Sequence, residues 1–123
     1  MYLFDTNAVI YFVQKEQEAT LRLSPIFAAN EPLFIATISV AEFFSPGILP
    51  DEERHGIEGI LNVLITIPLD IGLARHAGCL RSAYNMKLAD SIIAASALLM
   101  NSTILTRNVR DFKRVPNLAI QPI

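Results

Sequence analysis

One cysteine, Cys79, and no tryptophan occur in the 123 residues. A lone thiol excludes an internal disulfide framework and a cysteine-based zinc site, and it fits a reducing compartment. The two histidines, His55 and His76, are too few and too far apart for a helical HxxxH or HExxH metal motif. Charged residues make up only 18% of the chain while hydrophobic residues reach 52%, which excludes a disordered polyelectrolyte. Long apolar runs are also missing: stretches such as Ala8 to Val13 fall far short of the roughly 20 residues that cross a bilayer, so no membrane span is expected. No basic segment precedes an apolar stretch near Met1, and Asp5 interrupts the first one. A secretory signal is therefore not expected, and the cytoplasm is the expected location.

The length suits a single domain covering residues 1–123. The formal net charge of -2 hides an asymmetry. Residues 1–61 carry three basic and nine acidic groups, whereas 62–123 carry seven basic and three acidic ones. Arg107, Arg110, Lys113 and Arg114 crowd the basic end, where they can bind phosphates or form a solvated edge.

Patterning predicts strands alternating with helices. Tyr2-Leu3-Phe4 reads as a strand that passes through Asp5-Thr6-Asn7 into a helix from Ala8. Ala19 to Ala29 has helical spacing, and Pro25 predicts that a new helix begins after Ser24. Leu33 to Ile38 reads as a buried strand, followed by Ser39-Val40-Ala41-Glu42 as a capping box. Asp51 opens a helix to about Val63, Leu64 to Pro68 is a short strand, and Asp70 caps a helix to about Tyr84. Its apolar stripe is Leu73, Ala77, Leu80 and Tyr84. Leu88 to Met100 is apolar nearly all round, the mark of a helix buried mid-domain. Thr103 to Thr106 and Leu118 to Ile120 complete the strands. This order predicts an α/β fold with a mostly parallel sheet covered on both faces, whose site lies beyond the carboxyl ends of its strands.

Four acids fall where that rule puts a site: Asp5 after the first strand, Glu42 after the second, Asp90 in the first turn of the buried helix, and Asp111 after the strand ending at Thr106. Buried carboxylates are costly unless paired, hydrogen-bonded or bound to a cation. Converging carboxylates repel one another unless a divalent ion balances them, and oxygen ligands suit Mg²⁺ or Mn²⁺. Each acid also has a structural alternative. Glu42 can complete its capping box, Asp90 can serve a helix N-terminus or pair with Lys87, and Asp111 can pair with an arginine. Asp5 has the weakest alternative, because it breaks an apolar junction and is followed by polar Thr6 and Asn7.

FDTNAVI at the N-terminus, TISVAEFF around Glu42, KLADSIIAASAL around Asp90 and ILTRNVRDFKRVPNL near the end resemble, in order, the motifs of the PIN-domain family. The resemblance is strongest to the VapC-type toxin ribonucleases of bacterial and archaeal toxin-antitoxin pairs. It implies a three-layer α/β/α sandwich and an acidic pocket that binds Mg²⁺ or Mn²⁺ and hydrolyses RNA phosphodiesters. By match, Asp5, Glu42 and Asp90 are the metal-site acids. Many members carry a further acid at the position of Asn108. Here Asn108 brings no charge, a second metal site is weakened, and Asp111 is the remaining candidate for the fourth place.

In that chemistry Asp5 and Asp90 hold the ion, and Glu42 binds it, holds a coordinated water or assists proton transfer. Thr6, Asn7, Thr106 and Asn108 orient carboxylates or meet substrate, with capping and strand-end hydrogen bonding as the plainer roles. Arg107 and Arg110 are candidate RNA phosphate contacts or surface ion-pair partners. His55 and His76 are expected at the surface, Cys79 inside a helix packing face, and Phe12, Phe43 and Phe44 in the core or at a dimer contact. The apolar composition predicts a homodimer. The resemblance adds a cognate antitoxin that crosses the acidic site.

Two other functions compete. A haloacid-dehalogenase-type phosphatase also starts with a strand ending in Asp, but Asn7 stands where that family needs its second aspartate. A PIN-like module that binds RNA or protein without cleaving it is the other, and Asn108 is the residue that favours it.

Overall fold

The computed structural model describes all 123 residues. Five strands, β1 (Tyr2–Phe4), β2 (Leu33–Ala36), β3 (Ile65–Ile67), β4 (Thr103–Thr106) and β5 (Ile120–Pro122), form one sheet in the order β3-β2-β1-β4-β5. All four pairings are parallel. Seven helices fill the connections: α1 (Thr6–Val13), α2 (Gln17–Ala28), α3 (Thr37–Phe43), α4 (Asp51–Leu61), α5 (Ile71–Tyr84), α6 (Leu88–Leu99) and α7 (Val109–Phe112).

Strand alternation sorts the core into two layers. Leu3 is in register with Phe34 and Ile104, and all three face a core shared with α5 and α6. Their neighbours Phe4, Ile35 and Leu105 are also in register and face the opposite core, built with α1, α2 and α4. These six side chains are at most 4% exposed, as a parallel sheet covered on both faces requires. At about 1.5–3 kcal/mol for each fully buried Leu, Ile or Phe, the central strands anchor both layers. The expected three-layer sandwich is the observed architecture.

The chain leaves β1 toward β2 and β3 on one side and later returns to β4 and β5 on the other. The connection therefore reverses between β1 and β4, where a parallel sheet opens a crevice beyond its strand ends. Asp5 and the segment after Thr106 occupy that reversal.

Several local expectations are corrected. Pro25 lies inside α2 and starts no new helix. The acceptor it leaves without a donor belongs to Leu21, which is 64% exposed and so open to water, and only the last turn follows the proline. The strand from Leu33 stops at Ala36 and α3 begins at Thr37, capped by no side chain. Ser39 and Glu42 thus fall within the helix, and their capping box does not form. The last strand begins at Ile120, later than expected, because α7 and the turn at left-handed Asn117 (φ 64°) take up the preceding chain. Cys79 is exposed, since α5 buries Leu73, Ala77 and Leu80 and turns the thiol outward. Phe43 is buried, whereas Phe44 is 37% exposed under the Arg54 guanidinium. Asp70 caps α5 as expected, accepting from the Leu73 amide at 2.8 Å.

Candidate active site

Asp5 is placed by two elements at once. Its amide donates to the Leu105 carbonyl at 3.1 Å, continuing the sheet, while its side chain caps α1 by accepting from the Thr6 amide at 2.8 Å. The second carboxylate oxygen accepts from the Thr106 hydroxyl at 2.7 Å. Thr106, fully buried at the end of β4, in turn accepts from the Asn108 amide at 2.9 Å. The Asp5 carboxylate is thereby clamped between β1 and β4 in one orientation.

Thr6 performs the same service for Glu42. Its hydroxyl lies 2.6 Å from Glu42 Oε1 and 2.8 Å from Ser39 Oγ. One hydroxyl has one proton, and a carboxylate only accepts, so Thr6 donates to Glu42 and accepts from Ser39. Ser39 is fully buried. The serine expected to cap a helix instead supports the α1–α3 junction, and Glu42 is free to face the pocket.

Asp5, Thr6, Asn7, Glu42, Lys87, Ala89, Asp90, Asn108 and Asp111 line one cavity of about 380 Å³ at the carboxyl end of the sheet. All four acids singled out in the sequence are brought together here. Asn108 Nδ2 approaches Asp90 Oδ2 at 3.5 Å, a long contact. Asp111 lies in the short helix α7, where it lines this cavity and also pairs with Arg114 at 3.4 Å. Arg107 lines an adjoining recess, and exposed Arg110 lines neither. Lys87, just before α6, is a pocket cation, beyond the pairing with Asp90 that its spacing suggests. The lysine preceding the Asp90 helix was its only signal.

Electrostatics reflect this crowding. Burial pushes the Asp5 carboxyl up, its bonds from Thr106 and Thr6 pull it back, and the Glu42 charge raises it again. Asp90 is pushed up to about 6, first by burial and then by the charges of Asp5 and Asp111, with Lys87 opposing and Glu42 adding to the rise. Such paired elevation is a feature of functional sites. The donors are carboxylate and amide oxygens, the set preferred by hard divalent cations. No three His, Cys, Asp or Glu side chains stand close enough to enclose an ion unaided.

The PIN domain model matches residues 2–118. Among curated proteins the chain is 26% identical to "Ribonuclease VapC2" of Rickettsia felis, covering 98% of this chain and 96% of that protein. It is 24% identical to "tRNA(fMet)-specific endonuclease VapC" of Salmonella typhimurium over the same shares. Among solved structures, VapBC2 from Rickettsia felis bound to a promoter DNA fragment superposes with a TM-score of 0.83 at 25% identity, covering 99% of this chain and 98% of that one. A toxin-antitoxin complex from Klebsiella pneumoniae gives 0.81 at 28% identity, covering 97% and 96%. Because the family match runs through all four acids and the parallel sheet that gathers them, the chain belongs to the PIN domain family.

Proposed function

We propose that this chain is a divalent-metal-dependent endoribonuclease and the toxin of a VapBC-type toxin-antitoxin pair, acting as one domain over residues 1–123 in the cytoplasm. The carrying observation is the convergence of Asp5, Glu42, Asp90 and Asp111 on one pocket at the strand-order reversal. Relatives named a ribonuclease and a tRNA(fMet)-specific endonuclease, which align over nearly the whole chain, support the same reading. No helix is long and apolar enough to cross a membrane.

The residues fit Mg²⁺ or Mn²⁺: the donors are oxygens, and Asp5 and Asp90 both bind protons more tightly than usual, a penalty that a cation relieves. Asp5 and Asp90 would hold the ion, with water or substrate oxygens completing its surroundings. When bound, the ion lowers the pKa of a coordinated water and offsets negative charge on the phosphate in the transition state. The chain's own groups supply orientation. Thr106 and the Thr6 amide fix the Asp5 carboxylate, so its geometry needs no rearrangement as substrate enters. Glu42, held by Thr6 but exposed, is positioned to take a proton from the attacking water. Asp111 fills the fourth place as a charge, with the uncharged Asn108 beside Asp90. Lys87 faces the pocket as a cation suited to a substrate phosphate.

The partners follow from the same reading: RNA as substrate, a cognate antitoxin, and a second copy of the chain. Solved neighbours are toxin-antitoxin complexes. The test is cleavage of a mixed RNA pool with Mg²⁺, Mn²⁺ or EDTA by the wild type, Asp5→Ala and Asp90→Ala. Metal-dependent cleavage absent from both variants is expected. A folded, partner-free wild type that binds RNA without cutting it under either metal would overturn the enzyme in favour of the binding module.

A further inference from the structure

Beside the acidic pocket lies a recess of about 270 Å³ lined by Asp5, Asn7, Tyr11, Arg107 and Asn108. Asp5, Asn7 and Asn108 line both spaces. The two adjoin across these side chains as a groove with carboxylates toward one end and a guanidinium toward the other. Arg107 is held from three directions. Its Cζ lies 4.2 Å from the centre of the Tyr11 ring, Nη2 donates to Glu16 Oε2, and Nε donates to the backbone oxygen of Ile123 at 3.3 Å. These bonds engage Nε and Nη2 and leave Nη1 without a protein partner.

A polyanion entering this groove meets four acids, so its other phosphates need a cation outside the acidic end. Arg107 is the one cation that lines the recess. A guanidinium already fixed by an aromatic face and a carboxylate loses little rotamer freedom when it gains an anion, whereas a free surface arginine loses much. We propose that Tyr11 is a positioning residue which, together with Glu16, holds Arg107 as the contact for an RNA phosphate flanking the one at the acids. This rests on the ribonuclease reading and adds to it a subsite with a direction: the strand runs from the acids across Asn7 and Asn108 to Arg107.

The test compares wild type, Arg107→Ala, Tyr11→Phe and Tyr11→Leu in steady-state cleavage of mixed-sequence single-stranded RNA with Mg²⁺ at several KCl concentrations. Binding of a labelled single-stranded RNA by anisotropy and thermal melting accompany it. Arg107→Ala is expected to raise KM about tenfold, as loss of one charge-assisted phosphate bond does, with kcat within about twofold. The salt dependence of log Kd for RNA should fall by about 0.7, the share of one phosphate contact on a single strand. Tyr11→Phe keeps the ring face and should behave as wild type, while Tyr11→Leu should raise KM about threefold at unchanged kcat. Unchanged KM and salt slope in Arg107→Ala would overturn the subsite, as would equal effects of both Tyr11 variants tracking a lowered melting temperature. If the wild type cleaves nothing, the ribonuclease reading falls. The anisotropy salt slope then still decides whether Arg107 meets a phosphate.

Discussion

Replacing Asp90 with asparagine should stabilise the protein at neutral pH while abolishing its activity. The substitution keeps the size of the side chain and an oxygen facing Asn108, but removes a charge that burial, Asp5 and Asp111 all disfavour. In the folded protein the carboxyl titrates at about 6, against an ordinary value of 3.8. Below the ordinary value both states are protonated and the group costs nothing. As pH rises from there to about 6, the unfolded chain gives up its proton first, so folded stability falls and the full penalty is present above pH 6. Two units at 1.36 kcal/mol each set a ceiling near ~3 kcal/mol. The pocket is open to solvent, and screening reduces this to about 1–2 kcal/mol. For a domain of this size that is a rise in Tm of about 4–8 °C at pH 7.5 without divalent ions. The gap should close as melts are repeated toward pH 4. Asp5 is present in both proteins, so its own elevation largely cancels from the difference. Adding Mg²⁺ should raise the wild-type Tm and leave the variant nearly unmoved. A variant no more stable than wild type at pH 7.5, or a gap that persists at pH 4, would rule out a charge penalty at Asp90.

Thr106→Val keeps the shape but removes the donor to Asp5 and the acceptor for the Asn108 amide, and should cost about 1–3 kcal/mol in urea unfolding; Thr106→Ser should recover most of it. The same Thr106→Val variant should lose RNA cleavage out of proportion to stability, measured well below its Tm, because the Asp5 carboxylate is no longer clamped. Gly59→Ala in α4 meets nothing within 4 Å and should stabilise by about 0.5–1 kcal/mol. Gly56→Ala in the same helix sets its Cβ 2.7 Å from Val13 Cγ1, a stiff β-branched side chain, and should destabilise by about 1 kcal/mol after the helix gain is counted. Chemical denaturation of the pair tests how closely α1 and α4 pack.

What could be read in the sequence was whatever local pattern controls. Tyr2-Leu3-Phe4, Leu33 to Ala36 and Ile104-Leu105 are apolar because both faces are buried, and the four acids stand out because nothing apolar explains them at strand exits. The resemblance of the four motifs to PIN domains agrees with the family match. The capping box failed because of contacts remote in sequence. Ser39 and Glu42 have the spacing of a capping box, yet Thr6, 33 and 36 residues away, claims both side chains. Pro25 signals a break, but its freed acceptor faces water and the helix tolerates it. Cys79 lies off the α5 stripe of Leu73, Ala77 and Leu80, so its outward direction was legible in the spacing and the general tendency of cysteine to be buried misled. The role of Tyr11 had no local signal at all. It emerges only when Arg107, far along the chain, folds over its ring.

Calorimetric titration of Mn²⁺ into the metal-free protein at pH 6 and pH 7.5, for wild type and Asp5→Asn, tests the acidic pocket most directly. If these carboxylates form a cation site, the wild type binds saturably, binds more tightly at pH 7.5 than at pH 6 because Asp90 must release its proton, and Asp5→Asn loses the binding. A wild type that takes up no Mn²⁺ at millimolar concentration, or a variant that binds it equally well, would contradict the assignment.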